Sequence, residues 1–139
     1  MKGLTVGVVD ERGEIAAMYK GIAQNDLGLR TDILDHTPKA IGMNLLIRSM
    51  SPNVIAADEI GSKEDVEAIK YAICSGIKGI FTAHGASMED LRTNPALANL
   101  LDTGSIERIV FLSNKKQTRG EISKVYGYNK MNAIYEGIK

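Results

Sequence analysis

Short apolar runs alternate with longer amphipathic stretches along most of this chain. Mainly apolar runs occupy positions 4–9, 54–57, 79–83 and 109–112. Runs of this length are typical of strands that are buried on both faces of a sheet. Between them, apolar residues recur at helical spacing, which predicts helices connecting the strands.

Local capping signals place the starts of the predicted helices. Pro38 suits the first residue of a helix, with Thr37 as its cap. Ser62, followed three residues later by an aspartate, is a near capping box for a second helix. Ser87 and Asn94 give similar signals for two further short helices.

This alternation predicts an α/β fold, specifically a three-layer sandwich with a mostly parallel sheet. Residues 121–126 are expected to pair with the strand at 109–112 as a C-terminal β-hairpin, across a polar and basic turn. We predict one domain over residues 1–126 and a loosely held tail over 127–139. Residues 14–19 could form a short helix or a strand, and residues 27–34 are expected to be irregular with some strand character.

Composition is that of an ordinary soluble globular protein. The 139 residues are 44% hydrophobic and 24% charged, and the net charge is zero. A neutral chain has no global field that would draw it to nucleic acid, so we expect no nucleic-acid partner. No apolar run approaches the length that spans a bilayer, which predicts a cytoplasmic protein that is soluble or peripherally attached to a membrane. The single cysteine, Cys74, lies on the flank of a helical apolar stripe, which predicts a packed thiol.

Acidic pairs follow two of the predicted strands directly. Asp10 and Glu11 follow the first strand, and Asp58 and Glu59 follow the run at 54–57. In open α/β sheets, ligands bind at the carboxyl ends of the strands. Two adjacent carboxylates can divide the work of phosphoryl transfer, because one can hold Mg²⁺ while the other orients or deprotonates the attacking water. This is the form of a Walker B element, although solvated carboxylates after a core strand would give the same pattern.

The strand predicted at 79–83 also ends in polar groups, Thr82 and His84. A histidine just past a buried strand is often a hydrogen-bonded structural residue. Next to two acid-ended strands, however, a neutral imidazole could hydrogen-bond a terminal phosphate. Three strand ends therefore supply candidate site residues at one edge of the predicted sheet.

Four segments together resemble the carboxyl-terminal part of the stage III sporulation protein AA family. These segments are VVDER (8–12), NDLGLRTDILD (25–35), LIRSMSPNVIAADEIG (46–61) and FTAHG (81–85). Members of this family are ATPases of endospore-forming bacteria, related to the type II and type IV secretion ATPases. The resemblance implies a RecA-like P-loop NTPase core and an intact protein that hydrolyses ATP to support an export or channel apparatus during sporulation.

The resemblance also implies roles for individual residues. Asp58 would hold Mg²⁺ through water, and Glu59 would act as the general base. Asp10 and Glu11 match the acidic box, where Asp10 would contact the cofactor and Glu11 would assist catalysis. His84 matches the histidine box of the secretion ATPases and would sense the terminal phosphate.

Further expectations concern the cofactor and its surroundings. The implied cofactors are ATP and Mg²⁺, with Thr82 as an additional nucleotide contact. Arg30 would lie where an arginine could reach a nucleotide bound by a neighbouring subunit. The implied partners are membrane-embedded components of a sporulation channel, which would place the protein at the mother-cell side of the forespore membrane.

One element of the family pattern is missing, because the sequence contains no GxxxxGK[ST] phosphate-binding loop. In the family this loop precedes the acidic-box strand, so we expect the chain to be a fragment that binds MgATP weakly by itself. Such truncation would expose a sheet edge, and Ile41 and Leu45 make the outer side of the predicted helix at 39–50 apolar. We therefore expect self-association.

Two other functions remain open from the sequence. The polar residues that follow the predicted strands also occur in an order that mimics a two-component receiver domain. These residues are Asp10, Glu11, Asp58, Thr82 and Lys115. Asp58 would then be a phospho-acceptor. Alternatively, the chain could be a non-catalytic assembly module that has acidic strand ends without chemistry.

Overall fold

The computed structural model describes residues 3–127 and 133–137. The chain divides into two compact units, Met1–His84 and Gly85–Lys139, and each is described by itself. The elements of the first unit are β1 (Val6–Asp10), β2 (Thr31–Asp35), α1 (Lys39–Met50), β3 (Val54–Ala57), α2 (Lys63–Cys74) and β4 (Lys78–Phe81).

A four-stranded parallel sheet forms the centre of the first unit, with the strand order β2-β1-β3-β4. The strands are in step with one another. Val6, for example, pairs with both Thr31 and Val54, the first residues of β2 and β3. All four strands therefore end at the same edge of the sheet.

Helices α1 and α2 pack against each other, and they contact β1 and β4 respectively. Both crossovers run in the same direction across the sheet, so right-handed connections place both helices on one face. Helix α1 lies very close to β1, because a Cβ on Gly42 would stand 2.5 Å from Cγ1 of Val9. The fully buried side chains of this unit include Val9, Met43, Ile55, Val66 and Ile69.

The start of α2 confirms the predicted capping box, whereas the predicted cap of α1 is wrong. Ser62 Oγ accepts from the N–H of Asp65 at 3.0 Å, and Asp65 Oδ2 accepts from the N–H of Ser62 at 3.0 Å. In α1, Pro38 occupies the N-cap position and no side chain caps the helix. The hydroxyl of Thr37 donates instead to the carbonyl of Asp35 at 3.2 Å.

The second unit contains α3 (Met88–Thr93), α4 (Pro95–Asp102), β5 (Arg108–Leu112), β6 (Ile122–Gly127) and β7 (Ala133–Glu136). The predicted caps of both helices are confirmed, since Ser87 accepts from the N–H of Asp90 and Asn94 accepts from the N–H groups of Ala96 and Leu97. The three strands form an antiparallel sheet in the order β5-β6-β7.

The α/β class, the parallel sheet and the antiparallel β5–β6 pair are thus confirmed. The structure corrects one expectation about β5, which we predicted to be a strand buried on both faces. Its residues alternate between exposed and half-buried, which is the period of an antiparallel strand rather than of a strand covered on both faces. A further strand, β7, lies within the stretch expected to be a loose tail, and residues 128–132 and 138–139 of that stretch lie outside the described residues.

Two smaller expectations differ from the structure, and one agrees with it. Residues 14–19 form neither a helix nor a strand. The stretch at 27–34 is irregular at its start and forms a strand from Thr31 onward, as expected. Cys74 is exposed rather than packed, because it is the last residue of α2 and its side chain lies beyond the buried stripe. In the described part of the chain, no helix is both long enough and apolar enough to cross a membrane.

Candidate functional site

The polar residues predicted from the sequence meet at the carboxyl edge of the parallel sheet. Because the strands are parallel and in register, their ends form one row. This row contains Asp10, Glu11 and Arg12 after β1, Asp35 and His36 at the end of β2, Asp58 and Glu59 after β3, and Thr82 and His84 after β4.

Asp10 shapes the loop that follows β1. Its side chain is fully buried, and its two carboxylate oxygens accept hydrogen bonds from the backbone N–H groups of Glu14 (2.9 Å), Ile15 (3.1 Å) and Ala16 (2.8 Å). A carboxylate that accepts several amide hydrogen bonds is a strong local organiser of the backbone. Asp10 thus has a structural role here, and its contact with a cofactor stays a prediction.

Glu11 connects the same loop to α1. Its Oε2 lies 2.7 Å from Nζ of Lys39, the first residue of the helix. The lysine side chain is only 14% exposed, so this ion pair is partly removed from water. The expected catalytic role of Glu11 also stays a prediction, and any such role would first require this ion pair to open.

The backbone at Glu59 is held in an unusual conformation. Its φ angle of 46° lies in the left-handed region, which costs a non-glycine residue about 1–2 kcal/mol. Two hydrogen bonds to Thr82 hold this turn: the N–H of Glu59 donates to Thr82 Oγ1 at 2.9 Å, and the N–H of Ile60 donates to the Thr82 carbonyl at 2.8 Å. Thr82 therefore fixes the direction of the Glu59 side chain, and its own nucleotide contact stays a prediction.

The carboxylate of Glu59 lies between a guanidinium and an imidazole. Arg12 Nη2 donates to Oε2 of Glu59, and Nε2 of His84 lies 3.3 Å from Oε1. The other terminal nitrogen of Arg12 is 3.9 Å from the carboxylate of Glu14. The Glu59 side chain is 28% exposed, compared with 57% for Arg12 and 88% for His84. We call these three residues the Arg12–Glu59–His84 cluster.

Asp58 differs from Glu59 in having no partner in the described part of the chain. Within residues 3–127 and 133–137, its half-buried carboxylate makes no hydrogen bond and no ion pair. A carboxylate left free at this edge fits a hard cation such as Mg²⁺, which prefers oxygen ligands. In the same part of the chain, no group of three or more metal-binding side chains occurs.

Arg30 is not brought to this edge. It directly precedes β2 and thus lies at the amino edge of the sheet, where its Nη1 donates to the carbonyl of Gly3 at 2.8 Å. Its own carbonyl accepts from the N–H of Val6, the first residue of β1. Contact between Arg30 and a nucleotide on a neighbouring subunit stays a prediction.

Sequence reasoning assigned no role to Arg12 or to the Asp35–His36 pair. Nδ1 of His36 lies 2.7 Å from Oδ2 of Asp35, while Oδ1 of Asp35 is buried and has no hydrogen-bond partner among the described residues. One signal could have found His36, because it follows its strand in the same manner as His84. A cation directly after the acid pair was a comparable signal for Arg12.

A family model provides the decisive comparison. The model described as "Sporulation stage III, protein AA" matches residues 1–132. The chain belongs to this family. It is 43% identical over 126 residues to stage III sporulation protein AA of Bacillus subtilis (strain 168), an alignment that covers 91% of this chain and 41% of that protein. The chain thus spans less than half the length of this family member.

Two other proteins show more distant similarity. The uncharacterized protein ycf45 of Porphyra purpurea is 32% identical over 74 residues, covering 53% of this chain and 13% of that protein. Among solved structures, that of the Legionella pneumophila ATPase DotB superposes with a TM-score of 0.60 at 14% identity, covering 91% of this chain and 38% of DotB. At that identity the similarity concerns the fold alone. These comparisons favour an ATPase-like sporulation protein over a receiver domain.

Proposed function

We propose that this chain carries the catalytic carboxylates of a sporulation ATPase, and that Asp58 and Glu59 serve ATP hydrolysis in the whole protein. The observation that carries the proposal is the contrast between these neighbours. Among the described residues, Asp58 has no hydrogen-bond or ion-pair partner, whereas Glu59 is held in a fixed direction by Thr82, Arg12 and His84. Membership of the sporulation family and the ATPase fold support the same function.

The two carboxylates suit different tasks. Asp58 would hold Mg²⁺ through water, and the bound ion would neutralise charge on the phosphates of ATP. Glu59 would take a proton from the attacking water, because a positioned carboxylate within hydrogen-bond reach can act as a general base. His84, which is largely exposed beside Glu59, would respond to the terminal phosphate.

Nucleotide affinity of this chain alone should be low. The sequence lacks the loop whose N–H groups and lysine would hold the phosphates. We expect a dissociation constant for MgATP weaker than about 10 μM, which corresponds to about 6.8 kcal/mol. In the whole protein, we propose that hydrolysis supports a channel apparatus at the membrane, with self-association and membrane-embedded partners.

The metal ligand can be tested in this chain directly. Mn²⁺ binds the same oxygen ligands as Mg²⁺ and broadens the NMR signals of nearby nuclei. We expect millimolar Mn²⁺ to broaden the backbone amide signals around Asp58, and we expect Asp58→Asn to abolish this local effect.

Asp32→Asn is the matched control, because Asp32 is an exposed aspartate of β2 in the same sheet. This variant should leave the broadening around Asp58 intact. If Asp58→Asn retained the same pattern of broadening as the unchanged chain, Asp58 would not be the metal ligand.

A further inference from the structure

We infer that Arg12 is a phosphate-responsive positioning residue. It holds the carboxylate of Glu59 while no phosphate is bound, and it exchanges this carboxylate for a phosphate group when nucleotide binds. The inference rests on the proposed function, and it adds a residue and a control step that the proposed function does not contain.

The first step of the argument is that the backbone of Arg12 is fixed although its side chain is not. The buried Asp10 holds the loop on the carboxyl-terminal side of Arg12. Its carbonyl accepts from the N–H of Gly13, and its carboxylate accepts from the N–H groups of Glu14 and Ile15. These bonds hold Arg12 beside the carboxyl edge of the sheet. The side chain of Arg12 is 57% exposed, so its guanidinium can change partners without unfolding the loop.

The second step concerns the partner that Arg12 now holds. Thr82 fixes the backbone of Glu59, so its carboxylate cannot follow the guanidinium far. The ion pair between Arg12 and Glu59 is also partly solvated, and such pairs contribute little to stability. An incoming anion can therefore displace Glu59 at low cost.

The third step is the chemistry of the incoming group. The planar guanidinium of an arginine binds pairs of phosphate oxygens better than a lysine ammonium does. Lys39, which pairs with Glu11, has a largely buried side chain, and Arg30 lies at the opposite edge. Arg12, in contrast, presents an exposed guanidinium directly beside Glu59.

Competition for one guanidinium couples the two events. While Glu59 is paired with Arg12, its Oε2 accepts from the guanidinium and is not available to an attacking water; a phosphate that binds Arg12 releases it. Glu59 thus becomes available as a base only when a phosphate is present. By linkage, the carboxylate of Glu59 must in turn weaken phosphate binding, because both groups compete for the guanidinium of Arg12.

A double-mutant cycle on nucleotide binding tests this coupling. Binding of a non-hydrolysable MgATP analogue is measured by calorimetry in the whole protein that contains this chain, for the unchanged protein, Glu59→Gln, Arg12→Ala and the double variant. We expect Arg12→Ala to weaken binding about tenfold, the usual scale for a lost hydrogen bond between charged groups. We expect Glu59→Gln to strengthen binding at least about threefold when Arg12 is present, and much less when it is absent.

Two controls separate this role from a purely structural one. Arg12→Lys keeps the charge but loses the planar fork, so it should bind with intermediate affinity. Arg92→Ala removes another exposed arginine–carboxylate pair, with Asp102 at 2.8 Å, and should leave binding unchanged.

The outcomes distinguish this inference from the proposed function. If Glu59→Gln strengthened binding equally in both backgrounds, the exchange at Arg12 would be wrong while the ATPase proposal stood. If Glu59→Gln left ATP turnover at the normal rate, the proposed base would be wrong. If the whole protein bound no nucleotide, both proposals would be wrong.

Discussion

Replacing Asp10 with alanine should destabilise the first unit strongly, because three backbone amides would lose their acceptor at once. These amides belong to Glu14, Ile15 and Ala16. A buried donor left without a partner costs about 1–3 kcal/mol. The bonds to Glu14 and Ile15 are only partly buried, so water can replace the carboxylate there at roughly 1 kcal/mol each.

The amide of Ala16 determines the rest of the loss. Ala16 is fully buried, and water has no access to its N–H, so the upper part of the same range applies there. The total is then about 4–5 kcal/mol. Asp10→Asn should cost about half as much, because its amide oxygen can still accept from Glu14 and Ile15 while its NH₂ group faces the N–H of Ala16.

Thermal unfolding of the chain, followed by NMR signals of β1 and β3, measures this loss in the first unit alone. A loss of 3 kcal/mol in a unit of this size lowers the melting temperature by about 12 °C or more. Asp32→Ala, at an exposed position of β2, should change stability by less than about 0.5 kcal/mol. A loss below about 1 kcal/mol for Asp10→Ala would refute the reasoning, because the three hydrogen bonds would then not hold the loop.

Two further predictions concern other parts of the chain. Ser62→Ala removes the side-chain cap of α2 and should lower the free energy of unfolding by about 1 kcal/mol, measured by urea titration; an unchanged midpoint would show that the cap is dispensable. In the second unit, a hydrogen bond to Glu136 raises the pKa of Lys124 above 10.5, so Glu136→Gln should lower this pKa, measured by NMR of the lysine side chain. A raised lysine pKa stabilises the folded state at pH values below the ordinary lysine pKa, and this stabilisation is lost as the pH rises through the raised pKa. Any stability difference between the unchanged chain and Glu136→Gln should therefore vanish at high pH. An unshifted Lys124 titration in the variant would contradict this.

Local signals made much of the first unit predictable. Strands β1 and β3 follow from short apolar runs, and the cap of α2 follows from the spacing of Ser62 and Asp65. The alternating exposure of β5 was missed because an apolar run of four residues does not show whether one or both faces are covered. Strand β7 was missed because its glycine-rich and asparagine-rich surroundings resemble a loose end.

The candidate site was predictable to the level of strand ends. Parallel strands in register bring Asp58, Glu59 and His84 to one edge of the sheet, independently of the loop conformations. The contacts within the site were not predictable, because they depend on loop conformation. The left-handed backbone of Glu59 and the folding of the loop around Asp10 place the guanidinium of Arg12 against Glu59, and no spacing in the sequence encodes this.

The central claim is that Glu59 is the base of an ATP-hydrolysing site, and ATP turnover by Glu59→Gln in the whole protein tests it most directly. This change keeps the shape of the side chain and removes its basicity, so nucleotide should still bind while turnover falls by about 10²-fold to 10⁴-fold. Glu64→Gln, at an exposed position in the first turn of α2, is the matched control and should turn over ATP normally. Normal turnover by Glu59→Gln would contradict the account.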